Sequence, residues 1–134
     1  MRLNKTLTIS VAAYNMGEYL KDALDSLLDA TILPDIEVIV VDDGSTDDTA
    51  DIAHQYESTF PETFRVISQQ NGGYGSTINA SLQQAHGKYF KQLDGDDFFI
   101  TDNLQAYIGV LKHSTADIVY TVGEYRYENT APPP

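Results

Sequence analysis

Ile36-Glu37-Val38-Ile39-Val40-Val41-Asp42-Asp43-Gly44-Ser45-Thr46-Asp47 is the stretch on which the fold turns. From Ile36 to Val41 the residues are β-branched and apolar apart from Glu37. A strand with one wet face alternates polar and apolar; a continuous apolar run fits a strand covered on both faces, as in a parallel sheet. The run breaks at Asp42-Asp43-Gly44. Ser45, with Asp48 three residues on, predicts a helix from Ser45 to Tyr56 opened by a variant capping box, its dipole favoured by the nearby acids.

The same alternation extends in both directions. Leu7 to Ala13 reads as a strand ending in the turn-like Tyr14-Asn15-Met16-Gly17. From Glu18 to Ala30, Tyr19, Leu20, Ala23, Leu24, Leu27 and Leu28 recur at helical spacing. Phe64 to Ser68 predicts a third strand, Gly72 to Ala85 a loop running into a helix closed by Gly87, and Tyr89 to Leu93 a fourth strand followed by Asp94-Gly95-Asp96-Asp97. Thr101 caps a helix to about Lys112, and Asp117 to Val122 and Glu124 to Tyr127 read as two more strands. Strands alternating with helices predict an α/β fold, a three-layer α/β/α sandwich with a mainly parallel sheet and right-handed crossovers. One domain covers residues 1–130, and the prolines of the 131–134 tail, lacking N–H groups, continue neither element.

The 134 residues contain no cysteine and carry a formal net charge of −12, which excludes a disulfide framework and zinc–thiolate sites. The cations Arg2, Lys5, Lys21, Arg65, Lys88, Lys91, Lys112 and Arg126 form no run, so nucleic acid is excluded as a partner. Val38 to Val41 is far short of the roughly 20 apolar residues of a membrane span, and Thr6, Thr8 and Ser10 make the N-terminal run too polar for a signal peptide. A cytoplasmic location is expected, peripheral to a membrane at most.

In parallel α/β sheets ligands bind beyond the carboxyl ends of the strands, where Tyr14-Asn15, Asp42-Asp43 and Asp94 to Asp97 all fall. Keeping Asp94, Asp96 and Asp97 ionised side by side is costly without a cation. Mg²⁺ or Mn²⁺, which takes one or two carboxylates and fills its other positions with water and phosphate oxygens, is the natural remedy. Gly95 lets a ligand approach the backbone. Asp43 at a strand end can accept hydrogen bonds from a nucleobase N–H or a ribose hydroxyl. Taken singly, Gly95-Asp96-Asp97 reads better as a solvated turn with helix-initiating acids, and Asp43 reads also as a helix-start acid; two acidic loops at one sheet edge are what favour a site. Asn71-Gly72-Gly73-Tyr74-Gly75 adds an amide and a flexible backbone without the lysine of a phosphate-binding P-loop. His54 and His86 fall on predicted helices and His113 near a helix end, none at metal-ligand spacing.

Ser10 to Asn15, Tyr19-Leu20, Ser26-Leu27-Leu28, Glu37 to Asp47, Asn71-Gly72-Gly73, Asn79, Ala85 to Tyr89 and Leu93 to Asp97 together resemble the family 2 glycosyltransferases of the GT-A fold, over roughly residues 5 to 112. The resemblance implies transfer of a sugar from a nucleotide diphosphate sugar, usually a UDP sugar, to an acceptor hydroxyl with inversion. It implies that Ala12 and Tyr14 line the base pocket, Asp43 contacts the base, Asp94 the ribose or the metal, and Asp96 is the chief metal ligand, with Asp42 mainly stabilising its loop. Asn71 and Gly95 complete the expected nucleotide-sugar contacts, Mn²⁺ or Mg²⁺ is the expected cofactor, and a carbohydrate or lipid-linked acceptor, as in polysaccharide or cell-envelope synthesis, the expected partner.

An inverting transferase also needs a base for the acceptor hydroxyl. In the resembled family it lies downstream of the Asp-x-Asp motif, and Asp117, Glu124 and Glu128 read better as strand or loop residues. The expectation is therefore the donor-binding half of a longer protein, with the catalytic base outside this chain. Tyr120, Tyr125 and Tyr127 would leave an aromatic surface favouring self-association into a homo-oligomer. Two rivals remain. A receiver-like domain would carry its acidic pair on the first strand, where this chain has Ala13-Tyr14-Asn15. The other is a non-catalytic nucleotide-binding or interaction module of the same fold.

Overall fold

The computed structural model describes residues 4–123. Strands β1 (Lys5–Ala13), β2 (Ile36–Asp42), β3 (Phe64–Ser68) and β4 (Gly87–Asp94) form a parallel sheet in the order β3-β2-β1-β4. Parallel neighbours need crossovers. These are supplied by α1 (Leu20–Asp25) between β1 and β2, α2 (Thr49–Thr59) between β2 and β3 and α3 (Tyr74–Leu82) between β3 and β4, with α4 (Thr101–His113) after β4. Every residue of β2 is buried, as its unbroken apolar run requires.

The two faces of the sheet differ. Leu7, Ile9 and Val11 of β1, Ile36, Val38 and Val40 of β2 and Leu93 of β4 share an apolar core with Leu20 and Leu24 of α1, Ala53 of α2, and Leu104, Ile108 and Leu111 of α4. On the opposite face, under α3, lie Thr8, Ser10 and Ala12 of β1 beside Glu37, Ile39 and Val41 of β2 and Phe90, Gln92 and Asp94 of β4. There the Ser10 and Ser81 hydroxyls share a buried hydrogen bond of 2.6 Å. This makes a three-layer α/β/α sandwich with one greasy and one polar interlayer.

At the far end of that polar layer, away from the strands' carboxyl ends, Glu37 is 1% exposed. Its carboxylate accepts from Thr8 Oγ1 at 2.6 Å, from the His86 main-chain N–H, and from Arg65 at 3.1 Å, with His86 Nδ1 at 3.2 Å. The one polar residue of the deciding stretch is thus a buried anchor joining β1, β2, β3 and the entry to β4. His86, expected on a helix, sits instead after α3, held by Glu37. His54 lies on α2, 3.1 Å from Glu57.

Other expectations shift for local reasons. α1 is shorter than the 18–30 periodicity predicts because Ser26 turns the chain aside. Its hydroxyl donates to Ala23 O at 2.6 Å and accepts from Phe99 N, while its carbonyl accepts from Thr101 Oγ1. Ser45 caps nothing: its hydroxyl accepts from Asn15 N at 3.0 Å, and α2 starts at Thr49, whose N–H bonds Asp47 Oδ1. Asp117 to Val122 forms no strand, having no ladder partner among the described residues, and Tyr120 is 89% exposed. The predicted strand at Glu124 to Tyr127 and the 131–134 tail lie outside the described residues. Among the described residues no helix is long and apolar enough to cross a membrane.

Candidate functional site

The carboxyl end of β1 is gripped from both sides. Ala13 O accepts from Asp43 N at 2.9 Å and Ala12 O from Gly95 N at 3.0 Å, extending the registers in which Ala13 lies opposite Asp42 and Ala12 opposite Asp94. The loops carrying Asp43 and Asp96 therefore flank one strand, two inter-strand spacings or about 10 Å apart at their roots. The two acidic loops that the sequence separates by some fifty residues do meet at one rim.

Asp43 is 4% exposed and its carboxylate is engaged by the chain. Oδ1 accepts from Gln69 Nε2 at 2.8 Å and Gly72 N at 2.9 Å, and Oδ2 from Gly73 N at 3.0 Å. Burial alone would raise its proton affinity; these three bonds outweigh that and hold the carboxyl below the ordinary carboxylate range. Asn71, expected to face a ligand, spends its amide on Asp43 O at 3.0 Å. Asp43 is first of all the organiser of the 69–73 loop, with lone pairs to spare on Oδ2. Gly44, at φ +81°, allows the fit: a Cβ there would stand 2.8 Å from Asn71 N.

A second bracket ties the β1 and β2 loops. Asn15 Oδ1 accepts from Thr46 N at 2.8 Å, Gly17 N donates to Asp47 Oδ2 at 3.0 Å, and Met16 N donates to Thr49 Oγ1 at 2.9 Å. Asp42, the expected loop stabiliser, accepts from Ser45 N at 3.0 Å. Tyr14 stands 47% exposed just past the end of β1, and Ala12, two residues before it, is half-buried.

Asp94, Asp96 and Asp97 each bring a carboxylate oxygen within 4.8 Å of the others. Burial and the charges of Asp96 and Asp94 push the Asp97 carboxyl up, the mark of acids crowded without a counter-charge. An all-oxygen set of this kind suits a hard divalent cation. Gly95 serves the chain itself, since a Cβ would meet Ala12 O and Met16 Cγ at 3.1 Å. Beyond β4 an open cleft of about 720 Å³ is lined by Lys91, Asp96, Asp97, Phe98, Tyr107 and Thr121 among others. Gln69, Tyr74 and Gln92 also belong to this end of the molecule and were not singled out from sequence. A single Gln or Tyr in a strand or loop carries no pattern that would have marked them.

A family model described as "Glycosyl transferase family 2" matches residues 8–133. The chain belongs to glycosyl transferase family 2. It is 36% identical over 116 residues to the chondroitin synthase of Pasteurella multocida, covering 86% of this chain and 12% of that protein. Among solved structures, S. aureus TarS 1–349 in complex with UDP-GlcNAc shares 30% identity with a TM-score of 0.68, over 80% of this chain and 31% of that one. The mannosyltransferase PcManGT of Pyrobaculum calidifontis, in complex with GDP-Man and Mn²⁺, shares the fold at 22% identity and a TM-score of 0.71, over 81% and 32% of the two chains. This family 2 chain thus spans from about an eighth to a third of the proteins it matches.

Proposed function

We propose that this family 2 chain provides the donor-binding part of a metal-dependent glycosyltransferase, which moves a sugar from a UDP sugar to a carbohydrate or lipid-linked hydroxyl with inversion. The observation that carries the reading is the meeting of the Asp43 loop and the Asp94, Asp96 and Asp97 carboxylates on either side of the end of β1. The similarity to a protein solved with UDP-GlcNAc supports a nucleotide sugar as donor.

In this reading the exposed Tyr14 ring offers a stacking face to the base, and the small, half-buried Ala12 leaves room in the same pocket. Asp43 keeps Gly72 and Gly73 in place at the pocket wall and lends its remaining lone pairs to the nucleoside. Asp96 and Asp94 would hold a Mn²⁺ or Mg²⁺ ion, which supplies charge neutralisation for the donor diphosphate and for its departure. Asp97 reinforces the field, and the cleft beyond β4 gives an acceptor a path to the rim.

Titration calorimetry tests this directly. UDP should bind in the presence of Mn²⁺, lose most of its affinity when the ion is chelated, and lose it likewise in Asp96→Ala. Equal affinity with and without the ion, or in Asp96→Ala, would remove the metal assignment; failure of UDP to bind at all would remove the donor assignment.

A further inference from the structure

The ends of β2 and β3 run side by side. Asp42 lies opposite Ser68 in the ladder, so the residues that follow them, Asp43 and Gln69, stand together past the sheet. Gln69 N donates to Asp42 O at 3.0 Å, which holds the residue there. From this place its side-chain amide reaches Asp43 Oδ1 and, on α3, Ser76 Oγ, both at 2.8 Å. The direction of each bond is forced. An ionised carboxylate only accepts, so the Gln69 atom facing it is the nitrogen, whose second hydrogen goes to Ser76. The Ser76 hydroxyl then donates onward to Gly73 O at 2.7 Å, and the Gly73 N–H returns to Asp43 Oδ2 at 3.0 Å. Asp43, Gln69, Ser76 and Gly73 thus close a ring in which both contacts to Asp43 are donations.

We propose that Gln69 is a positioning residue of the donor site: with Ser76 it holds the Asp43 carboxylate in one orientation and keeps it an acceptor. This rests on the donor reading above and adds to it a residue and the rule by which that residue acts. Without a donor at position 69, Asp43 Oδ1 keeps only the bond from Gly72 N, and Ser76 loses the partner that aims its hydroxyl. The carboxylate can then turn. Held in place, its open lone pair on Oδ2 favours a base that offers an N–H, as uracil does at N3. Cytosine, whose N3 is a bare acceptor, sets lone pair against lone pair.

The experiment compares UDP with CDP by calorimetry on the chain with Mn²⁺, in wild type, Gln69→Met and Ser76→Ala, each also melted without ligand. Wild type should prefer UDP by at least about tenfold, the value of a hydrogen bond to a charged group. Gln69→Met, of similar length without a donor, should weaken UDP more than CDP and lower that preference at least about threefold. Ser76→Ala should lower it in the same direction, because the ring is opened at its second member. A merely structural role would weaken both nucleotides alike and leave the ratio unmoved. That result, or no preference in wild type, overturns the role of Gln69 while leaving UDP binding intact. If Gln69→Met shows no cooperative melt, Ser76→Ala decides: an unmoved ratio there overturns the ring. Absence of UDP binding in wild type overturns the donor reading and this inference together.

Discussion

At the scale of single residues, the two most deeply held acids play opposite parts. Asp43 and Glu37 both sit on β2 or its end and both face α3, one at the rim and the other at the far edge. Asp43 shapes a loop beside the site; Glu37 joins strands with no route to a ligand at the rim. Burial pushes the Glu37 carboxyl up, and the bonds from Thr8 and His86 more than offset it, so the folded protein holds this group below its usual range. A depressed carboxyl contributes stability that is complete above its unfolded value of about 4.3 and is lost as the pH falls through the lower folded value. Glu37→Gln should therefore be less stable than wild type near neutral pH, by roughly 2–4 kcal/mol for a broken buried charge contact. The difference should shrink progressively below about pH 4. Urea titrations across that range check it, and parallel pH profiles for the two proteins would show that Glu37 contributes no pH-linked stability.

At the scale of elements, the two interlayers should respond differently to the same kind of truncation. Ile108 of α4 is buried in the apolar core, so Ile108→Ala leaves a cavity and should cost about 2–5 kcal/mol. Ser81 of α3 packs on the polar face, and Ser81→Ala removes one hydrogen bond and leaves Ser10 unpaired, which should cost about 1–3 kcal/mol. Denaturant melts of the two variants order them, and a larger loss at Ser81 would show that the polar layer, not the apolar one, dominates stability. The same contrast explains what could be read from the sequence. Ile36 to Val41 and Leu7 to Ala13 declared themselves as strands because burial on both faces leaves few polar positions, and the acidic turns after them followed from parallel topology. The start of α2 did not, because the partner of Ser45 is Asn15, thirty positions away, and a cap is legible only when its partner is local. Asp117 to Val122 has a strand's composition without a strand partner among the described residues, and composition cannot supply a ladder. At the site, the acids and their meeting at one rim were legible. The engagement of Asp43 and Asn71 with each other's loop was not, since side-chain partners across the rim leave no periodic trace.

At the scale of the whole molecule, charge is sorted along the strand direction. Lys5 and Lys88 start β1 and β4, Arg65 pairs with Glu37 near the start of β3, and Lys112 pairs with Asp35 at 2.8 Å just before β2. Asp42, Asp43, Asp47, Asp94, Asp96 and Asp97 gather at the opposite, carboxyl end. Lys21 is paired with Asp25 on α1, and Lys91 with Thr121 in the cleft. Lys91, in the cleft that Asp96 and Asp97 also line, stands against six acids at the rim, and a chain of net charge −12 repels a diphosphate. This fixes the sign of a salt effect. Without a divalent ion, screening over a Debye length of about 10 Å at 0.1 M weakens the repulsion, so the residual affinity for UDP should rise as monovalent salt is added. If Mn²⁺ sits between these carboxylates and the diphosphate as proposed, the local interaction becomes attractive, and the same salt series should lower affinity. Calorimetric titrations at several salt concentrations, with Mn²⁺ and with chelator, give the two slopes. If the chelated series also loses affinity with salt, the diphosphate meets a positive rim without the ion, and the charge sorting described here gives no reason for the proposed metal dependence.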